Sequence, residues 1–307
     1  PPPNPEMAYA RRKYGSYKAK RPTKRSNRRG SYAKTRPYRK TRRSYRRPTS
    51  KRTILNTASR KKRDTMLPYA QTNGSNGGGA SGPAQFSGGT GQQVYAWMAT
   101  ARDLTKSTDG TGGNVFNTAA RTSTTCYMRG LKETIEIQTS TGIPWQWRRI
   151  CFTTKGIAFA GASIETSYGW QRYLYNLNSG TSTDTAAYNA LLGVLFKGQN
   201  GIDWSTPQVA PVDTSRVTLK YDRTFMISSG NSSGVLRKYN LWHPMNKNIV
   251  YDDDESGEGT ASKTVSVDSK AGMGDYFVMD FFFPGIGAST SDSISFNPNA
   301  TLYWHER

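Results

Sequence analysis

The sequence predicts an all-β body, and three observations carry that expectation. Short stretches rich in β-branched and aromatic residues alternate with period two, turn-forming Gly, Pro, Asn and Asp separate them, and all seven tryptophans fall within residues 93–307. Gln93–Thr100 alternates about Tyr95 and Trp97. Thr125–Gln138 ends with Ile135 and Ile137 on one face and Glu136 on the other. Trp145–Thr154 carries Trp147 and Ile150 and closes on the turn pair Lys155-Gly156. Val217–Ser228 holds Leu219, Tyr221, Phe225 and Ile227, then runs into SSGNSSG. Val235–Trp242, Asn248–Tyr251, Tyr276–Phe283 and Ile294–Tyr303 complete the set. One segment differs: Asp184–Phe196 has an N-cap candidate in Asp184 and places Tyr188, Leu191, Leu192 and Leu195 at helical spacing. Eight strands with one short helical insertion predict an eight-stranded antiparallel jelly-roll sandwich over 93–307.

Ahead of this body lies a segment of another kind. Residues 1–63 hold 24 Lys/Arg against one acid, Glu6, a net +23; residues 64–307 hold 19 basic and 20 acidic residues, a net −1. The whole-chain charge of +22 is therefore the charge of one arm. The arm has no apolar stripe and like charges at every helical neighbour spacing, so it cannot offset its ordering entropy alone and is expected to be disordered. Residues 64–92 follow as a Gly-rich flexible linker, with eight glycines between Asn73 and Gly91. The PPPNPE run ahead of Met7 reads as either an expression remnant or an upstream extension and is set aside from the fold argument.

The arm is the strong chemical signal. Its cations Arg11, Arg12, Lys13, Lys18, Lys20, Arg21, Lys24, Arg25, Arg28, Arg29, Arg39, Lys40, Arg42, Arg43, Arg46 and Arg47 suit a phosphate backbone. Tyr14, Tyr17, Tyr38 and Tyr45 lie between them and can stack on unpaired bases. No base-reading module is present, so the expected partner is single-stranded nucleic acid bound without sequence preference. Such clusters also suit nuclear import receptors.

Catalytic signals are weak. The two histidines, His243 and His305, do not pair at ligand spacing and read as structural or surface residues. Cys126 and Cys151 lack metal or redox spacing and read as reduced core cysteines. Asp252, Asp253, Asp254 and Glu255 begin like a calcium loop, with Asp252, Asp254 and Ser256 at positions one, three and five. Position twelve is Lys263 rather than Glu. Three readings of this run remain: an acidic subunit-interface loop facing Lys/Arg of a neighbouring copy, a solvated turn, or an adventitious divalent site. No enzyme, cofactor or metal is expected. The longest apolar stretch, Ala190–Phe196, is too short for a bilayer, and the charged N-terminus does not read as a signal peptide.

Five phrases carry a family resemblance: LFKGQNGIDW at 195–204, VTLKYDRTFMISSGN at 217–231, NKNIVYDDDESG at 246–257, KAGMGDYFVMDFFF at 270–283 and FNPNATLYWHER at 296–307. With them the body resembles the capsid proteins of genomoviruses (gemycircularvirus type), and more distantly the coat proteins of geminiviruses. The resemblance implies a jelly-roll subunit, about sixty copies of which close into a small icosahedral shell. It implies circular single-stranded DNA as the packaged genome, an arm lining the shell interior, and residence in the virion and the host nucleus. About sixty arms would bring roughly 1,400 positive charges, the scale of a small single-stranded genome. The rival reading is a cellular nucleic-acid-binding module with a basic tail.

Overall fold

The computed structural model describes residues 50–71, 79–106, 110–156, 162–178 and 182–306. Two antiparallel sheets face each other. The first contains β1 (Arg60–Met66), β16 (Ser293–Glu306), β6 (Thr125–Thr139) and β12 (Leu236–Val250) in that order, with β4 (Ala84–Ser87) also on β16. The second runs β11 (Thr218–Ile227), β7 (Trp145–Thr154), β15 (Asp275–Pro284), β5 (Gln93–Met98), β10 (Arg172–Asn176), β2 (Pro68–Gln71) and β3 (Gly79–Ser81). Within it only β10 and β2 pair in parallel. Two small ribbons, β8 (Glu165–Thr166) with β9 (Gly169–Trp170) and β13 (Asp254–Ser256) with β14 (Gly259–Ala261), lie off the sheets. The chain changes sheet from β5 to β6 to β7, from β11 to β12 and from β15 to β16, the crossings of an all-β jelly-roll sandwich.

The sheets differ in what covers them. Helix α2 (Ser182–Leu195) lays Leu191, Leu192 and Leu195, followed by Phe196, against Ile150, Phe152, Phe277 and Phe281 on the outer face of the second sheet. Its inner face meets the first sheet through Trp97, Trp147, Val278 and Phe282. Buried on both faces, β5, β7 and β15 read as nearly unbroken apolar runs. The helix begins two residues before the expected Asp184 cap, which lies inside it.

Three expectations change. The eight strands become sheets of five and seven, because β1 to β4 and β10 join them. Val235–Trp242 and Asn248–Tyr251 are one strand, β12, with its register shifted between Pro244 and Lys247 and Asn246 at φ 51°. Proline is tolerated there because β12 is an edge strand. Strands also lie across the expected boundary at 63 and within the expected 64–92 linker. The charge-dense sequence Arg60–Met66 pairs along β16 and buries Lys62, whose Nζ lies 3.0 Å from Glu306 Oε2. Within the Gly-rich stretch, Phe86 packs against Tyr95, Trp145 and Phe282. Gly88 there allows a close approach, since a Cβ would stand 2.6 Å from that of Ala288. The only helix ahead of the sheets among the described residues is α1 (Lys51–Ala58), capped by the Ser50 hydroxyl, which accepts from Thr53 N–H at 3.2 Å.

Candidate functional site

The predicted arm residues, Arg11 to Arg47 with Tyr14, Tyr17, Tyr38 and Tyr45, lie outside the described residues. The last basic cluster of that segment, Arg60 to Arg63, is strand β1. There Lys62 turns inward while Arg60, Lys61 and Arg63 remain exposed.

The acidic run divides in the same way. Asp253 is consumed within the chain: Arg121 donates from Nη1 to its Oδ2 at 2.6 Å and from Nη2 to its Oδ1 at 2.8 Å. Burial opposes the Asp253 charge, but the Arg121 donors outweigh it and hold the carboxyl below its ordinary range. Asp253 is thus a correction to the expected interface loop, because a carboxylate spent on a buried guanidinium cannot reach a neighbour. Asp252, Asp254 and Glu255 stay exposed, and Asp254–Ser256 forms a hairpin with Gly259–Ala261 rather than a loop wrapped round an ion. Among the described residues no group of three His, Cys, Asp or Glu side chains is placed to hold a metal.

Between the sheets lies a charge network that the sequence reading missed. Arg149 donates to both oxygens of Asp280, at 2.7 and 2.9 Å, and to Glu133 Oε2 at 2.6 Å. Arg172 reaches Asp280 Oδ2 at 2.9 Å and Glu133 Oε1 at 3.2 Å. Trp147 Nε1 donates to Asp280 at 2.8 Å. All four charged side chains are fully buried. Glu133 comes from the first sheet and the other three from the second, so the network clasps one to the other. Burial works against the Glu133 charge, but Arg149 and Arg172 hold it well below the usual carboxylate range.

His243 joins this cluster, with Nε2 at 3.4 Å from Glu133 Oε2 and Nδ1 at 4.0 Å from Cys151 Sγ. Burial opposes its charge, and the Cys151 sulfur and then Glu133 outweigh it, raising the imidazole to about 9. At 2% exposure it cannot meet a substrate, and its role is structural. Cys126 and Cys151 are free thiols in the core.

A cavity of about 970 Å³ opens beside α1, lined among others by Ser59, Lys61, Tyr127, Arg129, Asn248 and His305. His305 lies 3.4 Å from the Ser59 hydroxyl through Nδ1. Burial, then the Arg129 and Lys61 charges, lower its pKa, the mark of an electropositive hollow.

No protein-family model matches the sequence, and comparison with curated proteins finds no match. Among solved structures, the chain aligns with a cryo-EM structure of broad bean stain virus at 8% identity, over 74% of this chain and 88% of that one, with a TM-score of 0.24. It aligns with VP1 of Trichodysplasia spinulosa-associated polyomavirus, in complex with 3'-sialyllactose, at 9% identity. That alignment covers 80% of this chain and 79% of the other, with a TM-score of 0.09. The architecture stands on the strand pairing described above.

Proposed function

We propose that the chain is the capsid protein of a small single-stranded DNA virus of the genomovirus kind. About sixty bodies close into an icosahedral shell, and the basic arm packages circular single-stranded DNA and serves in nuclear import. Residues 1–63 are the genome-binding segment, with Arg60–Met66 doubling as a strand of the body, and the loop carboxylates Asp252, Asp254 and Glu255 face Lys or Arg of a neighbouring copy. The observation that carries this reading is the charge partition, +23 on the first 63 residues against −1 on the rest. A polyanion holder has been joined to an electrically balanced sandwich. Large apolar side chains displayed on loops, Phe116 at 88% exposure and Ile202 at 77%, support burial between copies.

A cellular nucleic-acid-binding module would share the partition but keep a solitary body. Sedimentation and electron microscopy of the full chain and of residues 50–307 separate the two. The cut falls before Ser50 because β1 belongs to the sandwich. The shortened body should still form pentamers or particles and lose most of its DNA retention. The full chain should hold single-stranded DNA tightly at low salt and release it steeply as salt rises. A body that stays monomeric in every buffer would overturn the capsid reading.

A further inference from the structure

We infer that the open face of the first sheet is a second binding site for single-stranded DNA, on which unpaired bases stack while flanking cations meet the phosphates. The inference rests on the packaging reading and adds to it a site on the folded body, beyond residues 1–49, that draws Lys61 and Arg63 from β1.

Cross-strand register sets out the face in rows. Lys61, His305, Tyr127 and Asn248 form one row; Arg63, Tyr303, Gly130 and Pro244 the next; Thr65, Thr301, Lys132 and Trp242 the third. Successive rows lie about 6.8 Å apart, two residues of strand rise. That is about twice the 3.4 Å charge spacing along one strand of stacked DNA, so it fits a strand that is extended and unstacked.

Trp242 and Tyr303 form the platform. Their ring centroids are 5.9 Å apart, and Trp242 is 49% exposed although an indole of that size is ordinarily covered. Gly130 makes room for the indole: a Cβ there would stand 2.6 Å from Trp242 Cζ2 and 2.6 Å from the His243 carbonyl oxygen. Gly130 sits where β6 shifts register against both β16 and β12, at φ 155°, so the bulge itself calls for glycine and the indole occupies the space left without a Cβ. Exposed π-faces beside cations take any unpaired base, whereas a duplex keeps its bases stacked inside.

Charge selects the same occupant. Arg63 and Lys132 flank the rings, and among the described residues no carboxylate pairs with either. The acid on this face, Glu136, stands opposite Lys238 at the far end. At the near end the face runs into the electropositive cavity of Lys61, Arg129 and His305. Thr53 of α1 lines the same cavity, so the cationic end of the face lies beside the first described helix. A second copy of the chain fits less well, since the aromatics are bordered by Lys61, Arg63 and Lys132 and the next row (Asn299, Thr134, Asn240) is polar.

Photocrosslinking of the full-length chain to iododeoxyuridine-substituted oligo-dT, read by peptide mass spectrometry, should place adducts on Trp242 and Tyr303 besides those on the arm. At about 0.6 M salt the phosphate contacts of the arm are weakened and stacking persists. Trp242→Ala should then lower the remaining oligo-dT affinity on the order of tenfold, with Trp242→Phe restoring most of it. Neither should alter particle assembly or duplex binding. Adducts confined to residues 1–49, with Trp242→Ala binding like the parent, would overturn the platform and leave packaging by the arm intact. Failure of the full chain to retain oligo-dT at low salt would overturn the packaging reading itself. A rise in hydrogen-exchange protection along the β12 edge when DNA-free subunits assemble into particles would assign the face to a neighbouring copy, and would equally overturn the platform.

Discussion

β15 and β16 follow each other in the chain, yet β15 (DYFVMDFFFP) is buried at nine of its ten positions while β16 (SISFNPNATLYWHE) buries every second residue. β15 lies at the middle of the sheet that α2 covers. β16 lies in the sheet whose outer face is covered by no sheet or core cluster among the described residues. The covered sheet is invested in stability, and its side chains on both faces have apolar neighbours. The first sheet buries its apolar side chains on the inner face, and its outward positions hold the cations Arg63 and Lys132 beside a half-exposed Trp242. The inferred base-stacking site is one use for cations and a half-exposed indole gathered on one face.

Truncation on the two outer faces should break the symmetry most sharply. Phe281→Ala removes a ring packed under α2, 5.9 Å from Phe196, and should cost about 3–5 kcal/mol in urea unfolding of residues 50–307. Thr301→Ala, outward on β16 with only an exposed hydroxyl contact to Thr65, should stay within about 0.5 kcal/mol. Equal losses would mean that the first sheet is covered in solution as well.

The clasp between the sheets comes next. Glu133→Gln leaves Arg149 and Arg172 facing one carboxylate instead of two, and should cost about 3 kcal/mol by the same measurement. Replacing Glu133, Arg149, Arg172 and Asp280 together with apolar residues of similar volume should recover much of that loss, because a buried ion pair also carries its desolvation cost. A neutral Glu133→Gln would mean that water reaches the cluster.

Most long strands were legible in the sequence because their signals are local: period-two alternation in Thr125–Gln138 and Ile294–Tyr303, and turn residues between. The α2 helix was legible for the same reason, through Leu191, Leu192 and Leu195. β1 was not, because RKKRDTM reads as more arm until Glu306, at the other end of the chain, is placed beside Lys62. Phe86 was hidden by glycines that serve close packing rather than reach. The clasp was hidden by separation: Glu133, Arg149, Arg172 and Asp280 come from four strands. A signal was nonetheless present, since an Arg inside WQWRRICF or an Asp inside DYFVMDFFF must be buried and so must have a partner. For the binding face, Trp242 and Gly130 each read as ordinary strand residues, and only the register puts the ring over the glycine.

The smallest expected effect concerns how the clasp responds to pH. His243 belongs to the first sheet and faces Glu133 of β6, Cys151 of β7 and Tyr221 of β11. Two guanidiniums already balance two carboxylates there, so an imidazolium is a fifth charge, held by the Cys151 sulfur and Glu133. Its folded pKa, about 9, exceeds the ordinary 6.5, so the folded state binds the proton more tightly than the unfolded chain does. That contribution is complete below about pH 6.5 and is lost as pH rises through about 9, a change of about 1–2 kcal/mol after allowance for coupling. Urea unfolding of parent and His243→Gln between pH 6 and 10 isolates it, since other titrations cancel in the difference. The gap should narrow toward pH 10, and Cys151→Ser should move the narrowing to lower pH by weakening the larger attraction. Parallel curves would mean a neutral His243, with the two sheets joined by the four-charge network alone.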